Sequence, residues 1–213
     1  VKNRRFALRL LSGLPMLAAL PATAFAAALR EGIDYVRAAK PVAQPGPGID
    51  VIEFFSYGCP HCKDAEGPVT RWRSGLPKDA TFRRVPISFG RANWAALAKL
   101  YLALETTGDL AKLHHEVFAA VHEQKLPLKD DKTVMDWAAK RVADAKKFTD
   151  TYNSFGIQAK VKSAEQTGLD FGISSVPSFG VGGRYLVVAK DARSLDDILR
   201  VASEVIELAR KTK

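Results

Sequence analysis

Hydrophobic positions along this chain change their spacing several times, and each change marks an element. Asp50 to Ser56 is apolar and aromatic almost throughout and follows Pro45, Gly46, Pro47 and Gly48. That is the pattern of a buried strand bounded by turn residues. Lys63 to Leu76 brings Val69, Trp72 and Leu76 to helical spacing, with Gly67-Pro68 expected to kink or interrupt the helix. Thr81 to Phe89 alternates through Phe82, Arg84, Ile87 and Phe89 as a second strand. Ahead of both, Tyr35-Val36 reads as a short edge strand.

From Asn93 to about Phe171 the strand signal disappears. Leu97, Leu100, Tyr101 and Leu104 recur at helical spacing, as do Leu110, Leu113, Val117, Phe118 and Val121, with Gly108-Asp109 between the two helices. Leu126 to Lys129 is a linker, Val134, Trp137 and Ala138 mark a third helix, and Asp144 to Phe155 and Gln158 to Phe171 give two more. A block of about 80 residues is too long for a connecting loop. Strand signal returns at Ser178 to Val188, where Gly182-Gly183 has the look of a hairpin turn. A last helix starts at Ser194, with Asp197 as its capping partner and Arg210, Lys211 and Lys213 at its end. The order predicts an α/β fold whose parallel strands are covered by helices, interrupted by a helical domain. The expected division is 27–92 and 172–213 for the α/β part and 93–171 for the insertion.

The start of the chain has a different character. Lys2, Arg4, Arg5 and Arg9 precede any acidic residue, Leu10 to Leu20 is apolar, and Ala24-Phe25-Ala26 offers small residues where a signal peptidase reads. Residues 1–26 are therefore expected to be a signal peptide cleaved after Ala26. Its apolar core of about 11 residues is short against the roughly 20 that span a bilayer. The formal charge of +9 becomes +5 without the four leader bases. The remaining Lys and Arg are interleaved with Asp and Glu, which argues for a solvated surface and against nucleic-acid binding.

Export gives the cysteines their meaning. Cys59 and Cys62 are the only two, in the run Cys59-Pro60-His61-Cys62 between the strand and the helix. Closing so short a loop constrains the unfolded chain little, so a structural staple is a poor use of the pair. Zinc needs about four ligands and the motif supplies two. His114, His115 and His122 fall on a distant helical segment and read as surface or partly buried structural residues. No metal and no cofactor is expected. A redox-active dithiol remains.

Cys59 stands where a helix begins, so free backbone N–H groups and the helix dipole favour its thiolate. Pro60 suits the first helical turn because its missing N–H has no partner there. His61 adds a donor or a positive charge beside the sulfur. Stabilising the thiolate makes the disulfide easier to reduce, hence a stronger oxidant. Cys59 is then the sulfur of the mixed disulfide, and Cys62, one turn deeper, the resolving thiol. Glu53 interrupts the apolar strand on the face of Phe55. It is either a buried carboxylate relaying protons to the buried thiol or a strand-end ion pair with Arg84.

Phe54-Phe55-Ser56-Tyr57-Gly58-Cys59-Pro60-His61-Cys62 resembles the active-site segment of the DsbA family of periplasmic thiol:disulfide oxidoreductases. Ser175-Val176-Pro177-Ser178-Phe179 resembles that family's cis-proline loop. The resemblance implies a thioredoxin fold with an inserted helical domain. It implies that Pro177 is cis and faces the dithiol, with Val176 supplying backbone contacts to an extended substrate. Reduced exported proteins are the implied substrates, and a DsbB-type inner-membrane protein the implied reoxidant, with the enzyme a periplasmic monomer. Gly58, a small residue beside Cys59, is expected to leave the sulfur open. The rival readings are a disulfide isomerase or reductase of the same superfamily, and a peptide-binding chaperone with an incidental dithiol. An isomerase would carry a dimerisation domain before the catalytic one, and only about 30 residues separate Ala26 from Cys59.

Overall fold

Strand β2, Ile49–Phe55, is buried at every one of its 7 positions, its two carboxylates, Asp50 and Glu53, included. The structure is a computed structural model that describes residues 28–212. The expected signal peptide and its cleavage after Ala26 fall outside the described residues. Around β2 the chain adds β1 (Tyr35–Arg37), α1 (Pro60–Ser74), β3 (Ala80–Pro86), β4 (Ser178–Val181), β5 (Tyr185–Val187) and α7 (Leu195–Lys211). Between β3 and β4 lie α2 (Ala92–Thr107), α3 (Leu110–His122), α4 (Asp131–Ala138), α5 (Ala145–Tyr152) and α6 (Phe155–Phe171). Among the described residues no helix is long and apolar enough to cross a membrane.

The five strands form one sheet in the order β1-β5-β4-β2-β3. Only β2 and β3 run parallel; β4 against β2, β5 against β4 and β1 against β5 are antiparallel. The expectation of a parallel sheet is corrected to a mixed one. The β4–β5 connection through Gly182 and Gly183, both at positive φ, is a tight hairpin that can only return antiparallel.

The two faces of β2 see different partners. Val51 packs with Val69 of α1 and with Val205 and Ile206 of α7. Ile52 and Phe54 belong to a second cluster with Leu100, Leu104 and Phe171 of the helical block. The sheet is thus covered by α1 and α7 on one side and by inserted helices on the other. This is a thioredoxin fold with an inserted helical domain.

Several boundaries differ from the sequence reading. Helix α1 begins at Pro60 and runs without interruption through Gly67 and Pro68. Pro68 forfeits a single bond, to the carbonyl of the exposed Asp64, while Ala65, Glu66 and Val69 stay buried and hold the helix on the sheet. Strand β3 stops at Pro86 because the chain turns at Phe89 and Gly90, both at positive φ. Helix α6 starts three residues before Gln158, where the Ser154 hydroxyl accepts from the Ile157 N–H. The last helix is capped as expected, Ser194 Oγ accepting from Asp197 N.

Candidate active site

The dithiol sits where β2 ends and α1 begins. Cys59 is the N-cap of α1 in extended conformation (φ −94°, ψ 118°), with Pro60 at the first helical position. The backbone N–H groups of the first turn therefore point toward its sulfur. Cys59 is 5% exposed and Cys62 1%. His61 is exposed.

The Cys59 thiol is lowered to about 6. The neighbouring Cys62 thiol does most of this. Burial opposes it, and the backbone N–H groups of Cys62 and His61 help. The charge of His61 contributes least. The sequence argument named the helix terminus and His61 and missed the leading part played by Cys62. Cys62 is driven the other way, well above an ordinary thiol, because it serves Cys59 as donor and because it is buried. The two sulfurs are thus set apart, one ready to carry negative charge and one holding its proton.

Opposite the motif, the Val176–Pro177 peptide bond is cis. Cys59 Sγ donates to the Val176 carbonyl at 3.4 Å, so the loop some 117 residues away in sequence meets the dithiol directly. Gly58 does not leave the sulfur open. A Cβ there would stand 2.4 Å from Trp94 Nε1, so the missing side chain admits the indole of α2 instead. Trp94 is itself stacked under the Arg91 guanidinium at 4.5 Å.

Beneath the dithiol lies a buried polar cluster. Glu53 is 1% exposed and stands in register with Arg84 on β3. Arg84 Nε donates to Glu53 Oε2 at 2.7 Å, while Arg84 Nη2 donates to both oxygens of Glu66 at 3.1 and 2.9 Å. The ion pair with Arg84 and the buried carboxylate, two alternatives in the sequence, are therefore one arrangement. Burial raises Glu53 to about 7 against the opposing pull of Arg84. Burial also pushes Glu66 upward, but the hydrogen bond from His114 and the charge of Arg84 outweigh it and bring Glu66 to about 2.

The helical block reaches this cluster through α3, which corrects the reading of His114, while His115 is exposed and His122 half-buried as expected. His114 is 5% exposed, with Nδ1 2.7 Å from the Tyr57 hydroxyl and Nε2 3.1 Å from Glu66 Oε2. His122 Nε2 donates to the Tyr57 carbonyl at 2.8 Å. His114 and His122 stand eight residues apart on one helix face, and both clasp the residue that leads into the motif. The signal available in sequence was spacing: Glu66 lies one turn after Cys62, and Phe118 and His122 repeat His114 at intervals of four.

A family model described as a DSBA-like thioredoxin domain matches residues 50–200. The thiol:disulfide interchange protein DsbA of Pseudomonas aeruginosa is 34% identical over 180 residues, 84% of this chain and 85% of that protein. The protein of the same name from Bordetella pertussis is 37% identical over 179 residues, covering 83% and 85%. The crystal structure of Pseudomonas aeruginosa DsbA superimposes with a TM-score of 0.78 at 33% identity, over 85% of this chain and 94% of that one. The chain belongs to the DSBA-like thioredoxin family and is a thiol:disulfide oxidoreductase.

Proposed function

We propose that this protein oxidises cysteine pairs in exported proteins by donating the Cys59–Cys62 disulfide, and that it works in the periplasm as a monomer. A substrate thiolate attacks Cys59 Sγ. The Cys59–Cys62 bond breaks, and a mixed disulfide forms between the substrate and Cys59. Cys62 leaves with the electron pair and takes up a proton, for which Glu53 is the buried source. The second substrate thiolate then attacks its partner's sulfur and expels Cys59 as a thiolate. The substrate loses two electrons and the enzyme gains them. A DsbB-type membrane protein takes them back, with Glu53 now accepting the Cys62 proton.

The observation that carries this reading is the lowered Cys59 beside a Cys62 that stays protonated. A good leaving thiolate at Cys59 drives the second displacement and makes the enzyme disulfide oxidising. Val176, whose carbonyl faces Cys59, presents backbone to an extended substrate, and Pro177 has no N–H to compete for it. The domain division at 93–171 fits the same scheme, with α3 bracing the motif from the insertion.

The test is the reduction potential of the dithiol against glutathione. An oxidase gives a value well above thioredoxin's roughly −270 mV. A potential as low as thioredoxin's removes the oxidase reading. Cys59→Ser separates the chaperone alternative: an oxidase loses all thiol-oxidising activity, whereas a holdase still suppresses aggregation.

A further inference from the structure

The buried cluster contains one permanent cation and two carboxylates, and their hydrogen bonds are unequal. Glu66 accepts from both contacts of Arg84 Nη2, from the Thr70 hydroxyl at 3.0 Å and from His114 Nε2 at 3.1 Å. Among the described residues Glu53 has a single donor, Arg84 Nε. Each charge-assisted donor favours the ionised carboxylate. The negative charge therefore settles on Glu66, and a proton in the cluster settles on Glu53.

His114 fixes this direction. A neutral imidazole has one donor and one acceptor nitrogen. Ionised Glu66 can only accept, so Nε2 carries the hydrogen and Nδ1 accepts from the Tyr57 hydroxyl. Burial and the nearby Arg84 hold His114 below its ordinary value despite Glu66, and burial holds Tyr57 far above its own, so at neutral pH both keep these roles. The chain of donors then runs one way, from Tyr57 through His114 to Glu66. With Arg84 positive, Glu66 negative and Glu53 protonated, the cluster is neutral, the state that burial favours.

We infer that Glu66 and His114 are positioning residues for the reaction at Cys62: by occupying Arg84 they leave Glu53 as the group that holds and returns the Cys62 proton. This rests on the role given to Glu53 above. The groups facing Glu53 are Arg84 on β3, Cys62, Glu66 and Arg73 on α1, and Tyr101 on α2, with His114 of α3 behind Glu66. Of these, Glu66 is the one that both adds repulsive charge and draws Arg84 away.

The experiment follows closure of a Cys59–glutathione mixed disulfide by Cys62 as a function of pH, using quenched flow. Cys59 is blocked there, so the profile reports the proton of Cys62. In the native protein the rate rises through a midpoint near 7, where Glu53 titrates. Glu66→Gln leaves Arg84 to Glu53 alone and moves the midpoint down by about one pH unit. His114→Phe moves it the same way by less, and His114→Gln, which can still donate to Glu66 and accept from Tyr57, restores it. Should His114→Phe not fold, the infrared band of the protonated Glu53 carboxyl, identified by its loss in Glu53→Gln, must titrate lower in Glu66→Gln. An unmoved midpoint in Glu66→Gln and His114→Phe, with a flat profile in Glu53→Gln, overturns the inference and leaves the Glu53 relay standing. A native-like profile in Glu53→Gln removes the relay and the inference with it.

Discussion

Strand β2 buries two carboxylates three residues apart, Asp50 and Glu53, and β3 meets them with consecutive arginines, Arg83 and Arg84. The chemistry of the two pairs is the same and their surroundings are not. Arg83 gives Asp50 a forked contact, Nε at 3.0 and 3.1 Å and Nη2 at 2.8 Å, and shares itself with no other carboxylate among its hydrogen bonds. Its side chain is 35% exposed, and Asp50 lines a cavity of about 530 Å³ at the far end of the strand from the dithiol. Arg84 is 6% exposed and divides its donors between Glu53 and Glu66. An arginine of its own makes Asp50 an anchor. Half an arginine in a closed interior lets burial raise Glu53 to about 7.

The largest consequence concerns the arginines themselves. Arg84→Leu leaves two carboxylates buried with no permanent cation, and stability falls by about 3–5 kcal/mol. Arg83→Leu leaves one carboxylate beside a cavity that water can enter, and the loss is about 1–3 kcal/mol. Urea midpoints of the reduced proteins at pH 7 measure both. Equal losses at the two ends would mean that sharing an arginine has no energetic meaning here.

How much of this could be read in the sequence follows from the same residues. The strand, the motif and the insertion were legible because periodicity and spacing are local properties. Glu53 stood out because it breaks an apolar run, and Arg84 could be named because neighbouring parallel strands put it within reach. Glu66 and His114 carried only a spacing signal, which does not say what their faces of the helices meet. Glu66 is an ordinary helical glutamate until α1 is seen to turn that face inward, and His114 becomes meaningful only when α3 folds back across 57 residues to meet Tyr57. The β4–β5 hairpin was legible at Gly182-Gly183, but the antiparallel run of β4 against β2 was not, since it depends on how β4 returns from the insertion. Gly58 was misread because the side chain that fills its space, Trp94, comes from another element.

The next difference appears in the pH dependence of stability. Glu53 rises from 4.5 to about 7 on folding. Between those values the native state binds more protons than the unfolded chain, so stability declines as pH rises. The contribution of Glu53 is complete below pH 4.5 and gone above about pH 7. Glu53→Gln cannot ionise, so relative to the native sequence it gains about 2–3 kcal/mol across that window and then levels off. Denaturation series from pH 4 to 8 measure this, and an advantage of Glu53→Gln that stays constant across the range would show that Glu53 takes up no proton on folding.

The smallest effects are expected at Cys59. Neither carboxylate is among the groups that lower it; the Cys62 thiol leads, with the helix-terminal N–H groups behind it and His61 last. Thiolate absorbance should therefore give a midpoint near 6 in the native protein, and the same midpoint within error in Asp50→Asn and Glu53→Gln. His61→Ala should raise it by only a few tenths of a unit, since the exposed imidazole acts through solvent. Cys62→Ser should raise it more, because a hydroxyl replaces the thiol that does most of the work. If Glu53→Gln moved the Cys59 midpoint as far as Cys62→Ser does, the cluster would be acting on the attacking sulfur, and the division of labour between the Cys59 thiolate and the carboxylates beneath it would not hold.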